Sequence, residues 1–209
     1  MAYFELPGRP LIDLPASWRS AHARSIAAVL GRFLAAVHAV PLERMADLVD
    51  TDDQPKALWL DEAARTYDAI ADVVPRAHRS AVEVFLGSMP MTDRYGLVFS
   101  HNDLGIEHVL VDDVSGTVTG VIDWSDAAIV DPAHDFGLVY RDLGPAALDT
   151  ALENYRTSAA DSRAIRERAA FYARCSVLED MAYGHENGLH RYLEKSLAAL
   201  TWLFPVSAH

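Results

Sequence analysis

The sequence has few of the residues that mark secreted or membrane-spanning proteins. Its 209 residues include a single cysteine, Cys175, so no internal disulfide can form. Because Cys175 lies among helix-forming residues, we expect it to be a small buried side chain. No apolar run approaches the roughly 20 residues that span a bilayer, and the N-terminus has no basic-then-apolar signal pattern. We therefore expect a cytoplasmic protein with no membrane partner.

Positive charge is also scarce. Lysine and arginine together number 18 against 30 aspartates and glutamates, which gives a formal net charge of −12. The sequence contains only the lysines Lys56 and Lys195. Because phosphate backbones require a basic surface, we expect no nucleic-acid partner. The acidic balance is compatible with a cationic small molecule, and solubility alone would also account for it.

The remaining composition is that of a globular chain, with 51% hydrophobic and 23% charged residues. This length allows one domain or two small ones. Pro145 fits the first position of a helix. Apolar residues recur at helical spacing over 18–40, 56–74, 76–86, 162–184 and 189–203. These intervals predict a mostly helical chain.

One stretch, from Gly96 to Gly137, departs from the helical pattern. Its short β-prone runs, 97–100, 108–111 and 117–122, predict strands, and a turn at 113–116 joins the last two into a hairpin. The polar segment 101–107 and Asp123 fall at strand ends, where side chains reach solvent. The pattern therefore predicts that Asp103 and Asp123 converge at one end of the hairpin.

The polar residues of this stretch have a spacing suited to phosphoryl transfer. His101-Asn102-Asp103-Leu104 followed by His108 matches a kinase catalytic loop, and Asp123-Trp124-Ser125 stands where the metal-binding D-F-G motif stands. The reaction needs a carboxylate that orients and deprotonates the acceptor hydroxyl, and ligands that hold Mg²⁺ on the phosphates. Asp103 suits the first role, and His108 and Asp123 suit the second.

The order of these motifs resembles the aminoglycoside phosphotransferase family, which also includes macrolide phosphotransferases and choline kinase relatives. The pattern H-G-D-x-x-x-x-N, a hairpin, I-D-[FW]-x-x-[AS] and D-P-x-x-D corresponds here to His101–Asp103, His108, Ile122–Asp126 and Asp131–Asp135. Asn102 replaces the common glycine, and His108 replaces the common asparagine. Imidazole suits softer ions than Mg²⁺, so Mn²⁺ is considered beside it.

The resemblance implies an α+β fold, namely the mainly helical C-terminal lobe of a protein-kinase-like fold with a small antiparallel β-hairpin carrying the active site. The expected divisions of this single lobe are 1–11 (hinge remnant), 12–95 (helical), 96–137 (catalytic loop and hairpin) and 138–209 (C-terminal helices). We expect the N-terminal lobe to be absent, because the sequence has no G-x-G and neither lysine lies in a strand-like run.

The resemblance also implies a phosphotransferase that moves the terminal phosphate of ATP or GTP to a hydroxyl of a small molecule, an aminoglycoside or macrolide-type antibiotic. His101 and Asp135 would support the catalytic loop, and His38 is interpreted as structural. Glu179 and Asp180 could bind substrate amines, but a solvated helix face is the simpler explanation for them.

Two other functions are compatible with these residues. His101, Asp103, His108 and Asp123 are suitable ligands for a first-row metal in a metal-dependent hydrolase. A chain without the N-terminal lobe could instead be a catalytically incomplete fragment or a binding module. The acidic segment 45–56 is either a lid over a cationic substrate or a solvated loop.

Overall fold

The computed structural model describes residues 6–89, 95–155 and 157–206. Within these ranges the chain forms seven α-helices and five short strands. The helices are α1 (Ala16–His38), α2 (Lys56–Ile70), α3 (Arg76–Leu86), α4 (Ala133–Leu143), α5 (Pro145–Tyr155), α6 (Ala159–Glu186) and α7 (His190–Leu203). The strands are β1 (Arg9–Pro10), β2 (Val98–Ser100), β3 (Val109–Val111), β4 (Val118–Val121) and β5 (Ala128–Val130). The predicted mainly helical α+β fold is confirmed.

Prolines begin five of the helices. Pro15, Pro55, Pro75 and Pro132 immediately precede α1, α2, α3 and α4, and Pro145 is the first residue of α5. The fixed φ of proline suits a helix start, where its missing N–H would have had no partner. The predicted helices are confirmed, with ends displaced by a few residues.

Two of the tightest helix contacts depend on glycine. Where α1 crosses α5, a Cβ added to Gly31 would overlap the backbone carbonyl of Ala151. Where α4 crosses α6, a Cβ on Gly137 would lie 2.9 Å from the Cβ of Tyr172 and 3.1 Å from the carbonyl oxygen of Ala169. Both helix pairs therefore approach more closely than an alanine would allow.

The strands form two small antiparallel sheets. In the first, β3 pairs with both β1 and β4, and Leu110 lies opposite Gly120. In the second, β2 pairs with β5, and Val98 lies opposite Val130. The predicted hairpin is confirmed as β3 and β4.

Two features of residues 96–137 were not predicted. Strand β5 forms where only a loop was expected, and α4 begins at Ala133, within the stretch expected to hold only loop and hairpin. The acidic segment 45–56 is tied to β5, because Ile129 donates to the carbonyl of Asp50 (2.9 Å) and accepts from the N–H of Asp52 (3.0 Å).

Of the predicted hinge segment 1–11, residues 1–5 lie outside the described ranges, and Arg9–Pro10 pair with β3. In the described part of the chain, no helix combines the length and apolar character that a membrane crossing requires.

Candidate active site

The candidate site lies where three strands end. Strand β2 ends at Ser100 and leads directly into His101–Asp103, whereas His108 precedes β3 and Asp123 follows β4. The backbone N–H of Ile122 donates to the carbonyl oxygen of His108 at 2.9 Å. This bond extends the β3–β4 pairing by one residue and places His108 beside Asp123.

The imidazole of His108 lies between two carboxylates. Its Nδ1 is 2.8 Å from the carbonyl oxygen and 3.3 Å from the Oδ2 of Asp103, and its Nε2 is 3.7 Å from the Oδ2 of Asp123. Because a carbonyl oxygen can only accept, Nδ1 carries a proton, so the nitrogen whose lone pair could bind a cation is Nε2, which faces Asp123. An oriented imidazole lone pair next to a carboxylate suits a divalent cation.

The two carboxylates have pKa values displaced in opposite directions. Burial raises the pKa of the Asp103 carboxyl, and the adjacent His108 partly offsets that effect. Hydrogen bonds from the hydroxyl and the backbone of Ser125 lower the pKa of Asp123, which is exposed. Such divergence separates a proton acceptor from a carboxylate that stays ionised.

Two residues of the site have a left-handed backbone. Asn102 has a φ of 65° and Asp123 a φ of 60°. Asparagine and aspartate tolerate this region better than other residues with a side chain, which explains how Asn102 replaces the glycine common in the resembled family.

His101 connects the catalytic loop (101–107) to the hairpin. It is fully buried, and its Nε2 donates to the carbonyl oxygen of Ile122 at 2.9 Å. Its Nδ1 then accepts the backbone N–H of Asp103 at 3.3 Å. Both ring nitrogens are therefore used to hold Asp103 beside the end of the hairpin.

Asp135, at the start of α4, accepts hydrogen bonds from the other side of the catalytic loop. Its Oδ1 accepts the backbone N–H of Asn102 (2.9 Å), and its Oδ2 accepts that of His101 (3.2 Å) and the hydroxyl of Ser100. Nε2 of His38 lies 3.3 Å from the same Oδ2. These bonds attach the loop to α1 and α4.

The charge of Asp135 is stabilised although the residue is fully buried. Burial alone would raise the pKa of this carboxyl, but the contacts with His38 and Ser100 outweigh it and lower the pKa to about 2. Nδ1 of His38 is itself 3.0 Å from the hydroxyl of Tyr155. His38, which was interpreted from the sequence as structural, therefore contacts Asp135, the residue that holds the catalytic loop.

A buried ion cluster lies behind the site, formed by Glu107, Arg141, Asp142, Asp180 and Lys195. Nζ of Lys195 is 2.8 Å from Glu107, 3.3 Å from Asp142 and 3.2 Å from Asp180, and Arg141 donates to both oxygens of Asp142 (2.8 and 2.9 Å). Burial would lower the pKa of Lys195, but the surrounding carboxylates outweigh it and raise the pKa, so the ammonium stays protonated.

The predicted site residues other than His101 and Asp135 line one cleft of about 860 Å³. Its wall is strongly acidic, with seven carboxylates against the two guanidinium groups of Arg65 and Arg141. The carboxylates belong to Asp103, Glu107, Asp123, Asp126, Glu179, Asp180 and Glu186. A cation entering this cleft would be attracted over a large part of the surface.

The two predicted amine ligands differ in availability. Glu179 is exposed in the cleft. Asp180 is only 8% exposed, and its carboxylate already contacts Lys195 and accepts the hydroxyl of Ser196 at 2.7 Å. Its role in substrate binding stays a prediction, with its charge already engaged.

Several cleft residues were not expected from the sequence, among them Trp59, His134, Arg141 and Tyr192. Glu107 was also missed, although it directly precedes His108. One carboxylate oxygen of Glu107, one of Asp103 and a ring nitrogen of His108 all lie within 4.8 Å of one another, so they form a second possible donor set.

A helical body with a β-hairpin that brings Asp103, His108 and Asp123 to one cleft has the architecture expected of the kinase-like phosphotransferase fold. Residues 3–172 match the profile described as "Phosphotransferase enzyme family", and the chain belongs to this family. The resemblance drawn from the sequence motifs is thereby confirmed.

Solved structures show the same fold. The GDP complex of wild-type aminoglycoside 2'-phosphotransferase-IIIa superposes with a TM-score of 0.66 at 22% identity, over 95% of this chain and 68% of that chain. The apoenzyme of macrolide 2'-phosphotransferase MphH from Brachybacterium faecium gives 0.55 at 24% identity, over 98% and 70%. At these identities the likeness establishes the fold.

A curated relative is similar over a short segment. The uncharacterized protein YcbJ of Bacillus subtilis (strain 168) is 42% identical over 55 residues, which are 26% of this chain and 18% of that protein. The matched segment therefore spans less than a fifth of this relative's length.

Proposed function

We propose that the protein transfers the terminal phosphate of ATP or GTP to a hydroxyl of a small molecule of the aminoglycoside or macrolide type. The observation that carries this proposal is that the carboxylates of Asp103 and Asp123 lie on either side of His108. The pKa of Asp103 is raised and that of Asp123 is lowered. Family membership supports the reaction class. Similarity to the GDP complex of an aminoglycoside phosphotransferase supports a nucleotide donor.

Asp103 is the proposed catalytic residue. Its side chain is 38% exposed toward the cleft, so an acceptor hydroxyl can reach it. A carboxylate with a raised pKa is a better proton acceptor than an ordinary one. In phosphoryl transfer such a group orients the hydroxyl and takes its proton as the new bond to phosphorus forms. His101 and Asp135, through the backbone of the catalytic loop, would keep it in position.

His108 and Asp123 are the proposed metal ligands. The donor set fits, because the lone pair of Nε2 and an ionised carboxylate face one another at 3.7 Å. The mixed nitrogen and oxygen donors accept Mg²⁺ and favour Mn²⁺ somewhat more than an all-oxygen site would. A divalent cation bound here would offset the negative charge of the nucleotide phosphates.

The acidic cleft is the proposed acceptor site. Glu179 offers an exposed carboxylate, and Tyr183 on the same helix offers a flat wall. Protonated amines of an acceptor would meet carboxylates on several sides, which increases both the encounter rate and the preference for cations.

The test is phosphate transfer from ATP and from GTP to a panel of aminoglycosides and macrolides, with the Asp103→Asn variant beside the wild-type chain. We expect the variant to lose roughly 10²- to 10⁴-fold in kcat while the KM for the nucleotide is unchanged, because only proton transfer is removed. Asp68→Asn, an exposed aspartate on α2, is the control and should match the wild type. A full transfer rate in Asp103→Asn would overturn the role of Asp103.

Calorimetric titration of ATP and GTP, with and without Mg²⁺, tests the phosphate site separately. Metal-dependent binding that Asp123→Ala abolishes is the expected result. Tight zinc or manganese without any nucleotide dependence would instead favour a metal-dependent hydrolase, since Asp103, Glu107 and His108 could also hold such an ion.

A further inference from the structure

His134, in the first turn of α4, has an unusual environment for a histidine. The residue is 8% exposed. In the described part of the chain, its Nδ1 is the one buried side-chain polar atom that has no hydrogen-bond partner. A buried polar atom left without a partner destabilises the fold, so its presence calls for an explanation in terms of function or of a bound molecule.

The imidazole of His134 is held by aromatic neighbours that offer it no hydrogen bond. Its ring centroid is 5.2 Å from that of Trp59 and 5.2 Å from that of Tyr172. The tilted and edge-on contacts fix the plane of the ring without satisfying its nitrogens. The orientation of His134 is therefore determined by packing, and its Nδ1 is left without a hydrogen-bond partner.

His134 lies where the cleft meets a small side pocket of about 10 Å³. Trp59, Asn102 and His134 line both cavities. The side pocket has room for roughly one water molecule, which is too little for an organic ligand. A ligand that reaches His134 must therefore come from the large cleft, where Asn102 connects it to the neighbouring Asp103.

The ring is neutral near neutral pH. Burial lowers the pKa of His134, although Asp135, Asp52 and Asp131 act in the opposite direction. A neutral imidazole offers one N–H donor and one lone pair. A hydroxyl group can bond to either nitrogen, since it donates to the lone pair or accepts from the N–H, whereas the ammonium groups of a ligand are better matched by the carboxylates of the cleft.

We propose that His134 is a specificity-determining residue that hydrogen-bonds a non-reacting hydroxyl of the bound acceptor. The inference rests on the proposed function, and it adds that the acceptor carries a second hydroxyl in addition to the one that receives phosphate. The carboxylates would bind its cationic groups, Asp103 would face the reacting hydroxyl, and His134 would recognise the other.

The test is calorimetric binding of kanamycin and of erythromycin to the full chain and to its His134→Phe, His134→Asn and His134→Gln variants. Removing one neutral hydrogen bond should weaken binding of at least one of the two compounds roughly three- to tenfold in His134→Phe. The amide of asparagine replaces Nδ1 of the histidine, and that of glutamine replaces Nε2. We therefore expect His134→Asn or His134→Gln to bind the compound within about twofold of the wild-type affinity. His190→Phe, at the exposed start of α7, is the matched control.

Thermal unfolding separates this role from a structural one. Because His134→Phe removes an unpartnered buried polar atom, its Tm should equal or exceed that of the wild type while its affinity falls. The inference is overturned if His134→Phe binds both compounds as tightly as the wild type. It is also overturned if all three variants lose Tm and affinity together, or if the wild type binds neither compound. The proposed function is judged independently, by phosphate transfer.

Discussion

At the scale of single residues, the spacing of the motifs predicted the residues that line the cleft better than it predicted the contacts that hold the catalytic loop. Asp103, His108 and Asp123 follow or precede strands of one hairpin, so their meeting could be expected from local sequence. The partners of Asp135 could not be expected in the same way, because His38 is 97 positions away in the sequence and Ser100 is 35. Contacts between residues so far apart in the sequence depend on how the helices pack.

His134 illustrates a different limit. It occupies a position that the motif D-P-x-x-D leaves unspecified, so the resemblance assigns it no role. The ring of His134 packs against Trp59 and Tyr172, which belong to other helices and leave its Nδ1 without a hydrogen-bond partner. No pattern within α4 could have indicated it.

Asp135 should contribute to stability in a pH-dependent way. Its pKa is about 2 when folded, below the roughly 3.9 of an unfolded aspartate, so the stabilisation is complete above about pH 4 and is lost as the pH falls toward 2. Asp135→Asn should lower the free energy of unfolding by about 2 kcal/mol at pH 7, and the difference from wild type should narrow below about pH 4. Urea unfolding across this pH range measures both.

The control for that experiment is Asp72→Asn, because the Asp72 side chain is fully exposed. It should leave the unfolding free energy within about 0.5 kcal/mol of wild type at every pH. An equal loss of stability for Asp135→Asn at pH 7 and pH 2 would contradict the expectation, since it would show that the charge of the carboxylate is not the stabilising feature.

At the scale of elements, apolar periodicity predicted the long helices because each buries one stripe against the core. Apolar periodicity gives no comparable signal for β5, which lies between two polar motifs, or for the start of α4, which is buried nearly all round. The three residues of β5 are positioned by pairing with β2 and with the segment around Thr51. Tertiary pairing therefore decides where β5 forms.

The crossing of α1 and α5 should be sensitive to a single methyl group. Gly31→Ala would place a Cβ against the backbone of Ala151, which cannot turn aside as a side chain would. Overpacking of about 1–3 kcal/mol exceeds the gain of about 1 kcal/mol in helix propensity, so we expect a net loss of stability and a lower urea midpoint.

Gly87→Ala is the matched control at this scale. Gly87 has a φ of −82°, and a Cβ there would be in ordinary contact with the carbonyl of Glu83 at 3.4 Å. Its urea midpoint should be unchanged or slightly higher. Equal midpoints for Gly31→Ala and wild type would mean that the two helices can separate at little cost.

At the scale of the whole molecule, charge is distributed unevenly. The net charge of −12 is accompanied by a cleft wall with seven carboxylates and two arginines. The sign of the total charge could be read from composition, but the concentration of negative charge around Asp103 depends on α6, which brings Glu179, Asp180 and Glu186 to the same cleft. A polyamine should experience an attraction that dissolved salt screens.

Binding of kanamycin should therefore weaken with ionic strength. We expect its affinity to fall by roughly tenfold or more between about 50 mM and 500 mM NaCl, because the Debye length shortens from about 14 Å to about 4 Å. The double variant Glu179→Gln, Glu186→Gln should show a shallower dependence by calorimetry, whereas Glu153→Gln on exposed α5 surface should not. If the salt dependence of the affinity is the same for the wild type and both variants, the amines of kanamycin do not bind near Glu179 and Glu186.

The burial of both lysines makes the chain unusual as a substrate for amine chemistry. Lys56 is 6% exposed at the start of α2, and Lys195 is 3% exposed within the ion cluster. An acylating reagent or a lysine-specific endoproteinase can reach either side chain only after its helix opens. The modification rates of two peptides, followed by mass spectrometry, would thus report separately how often the helix beside the acidic segment opens and how often the ion cluster comes apart.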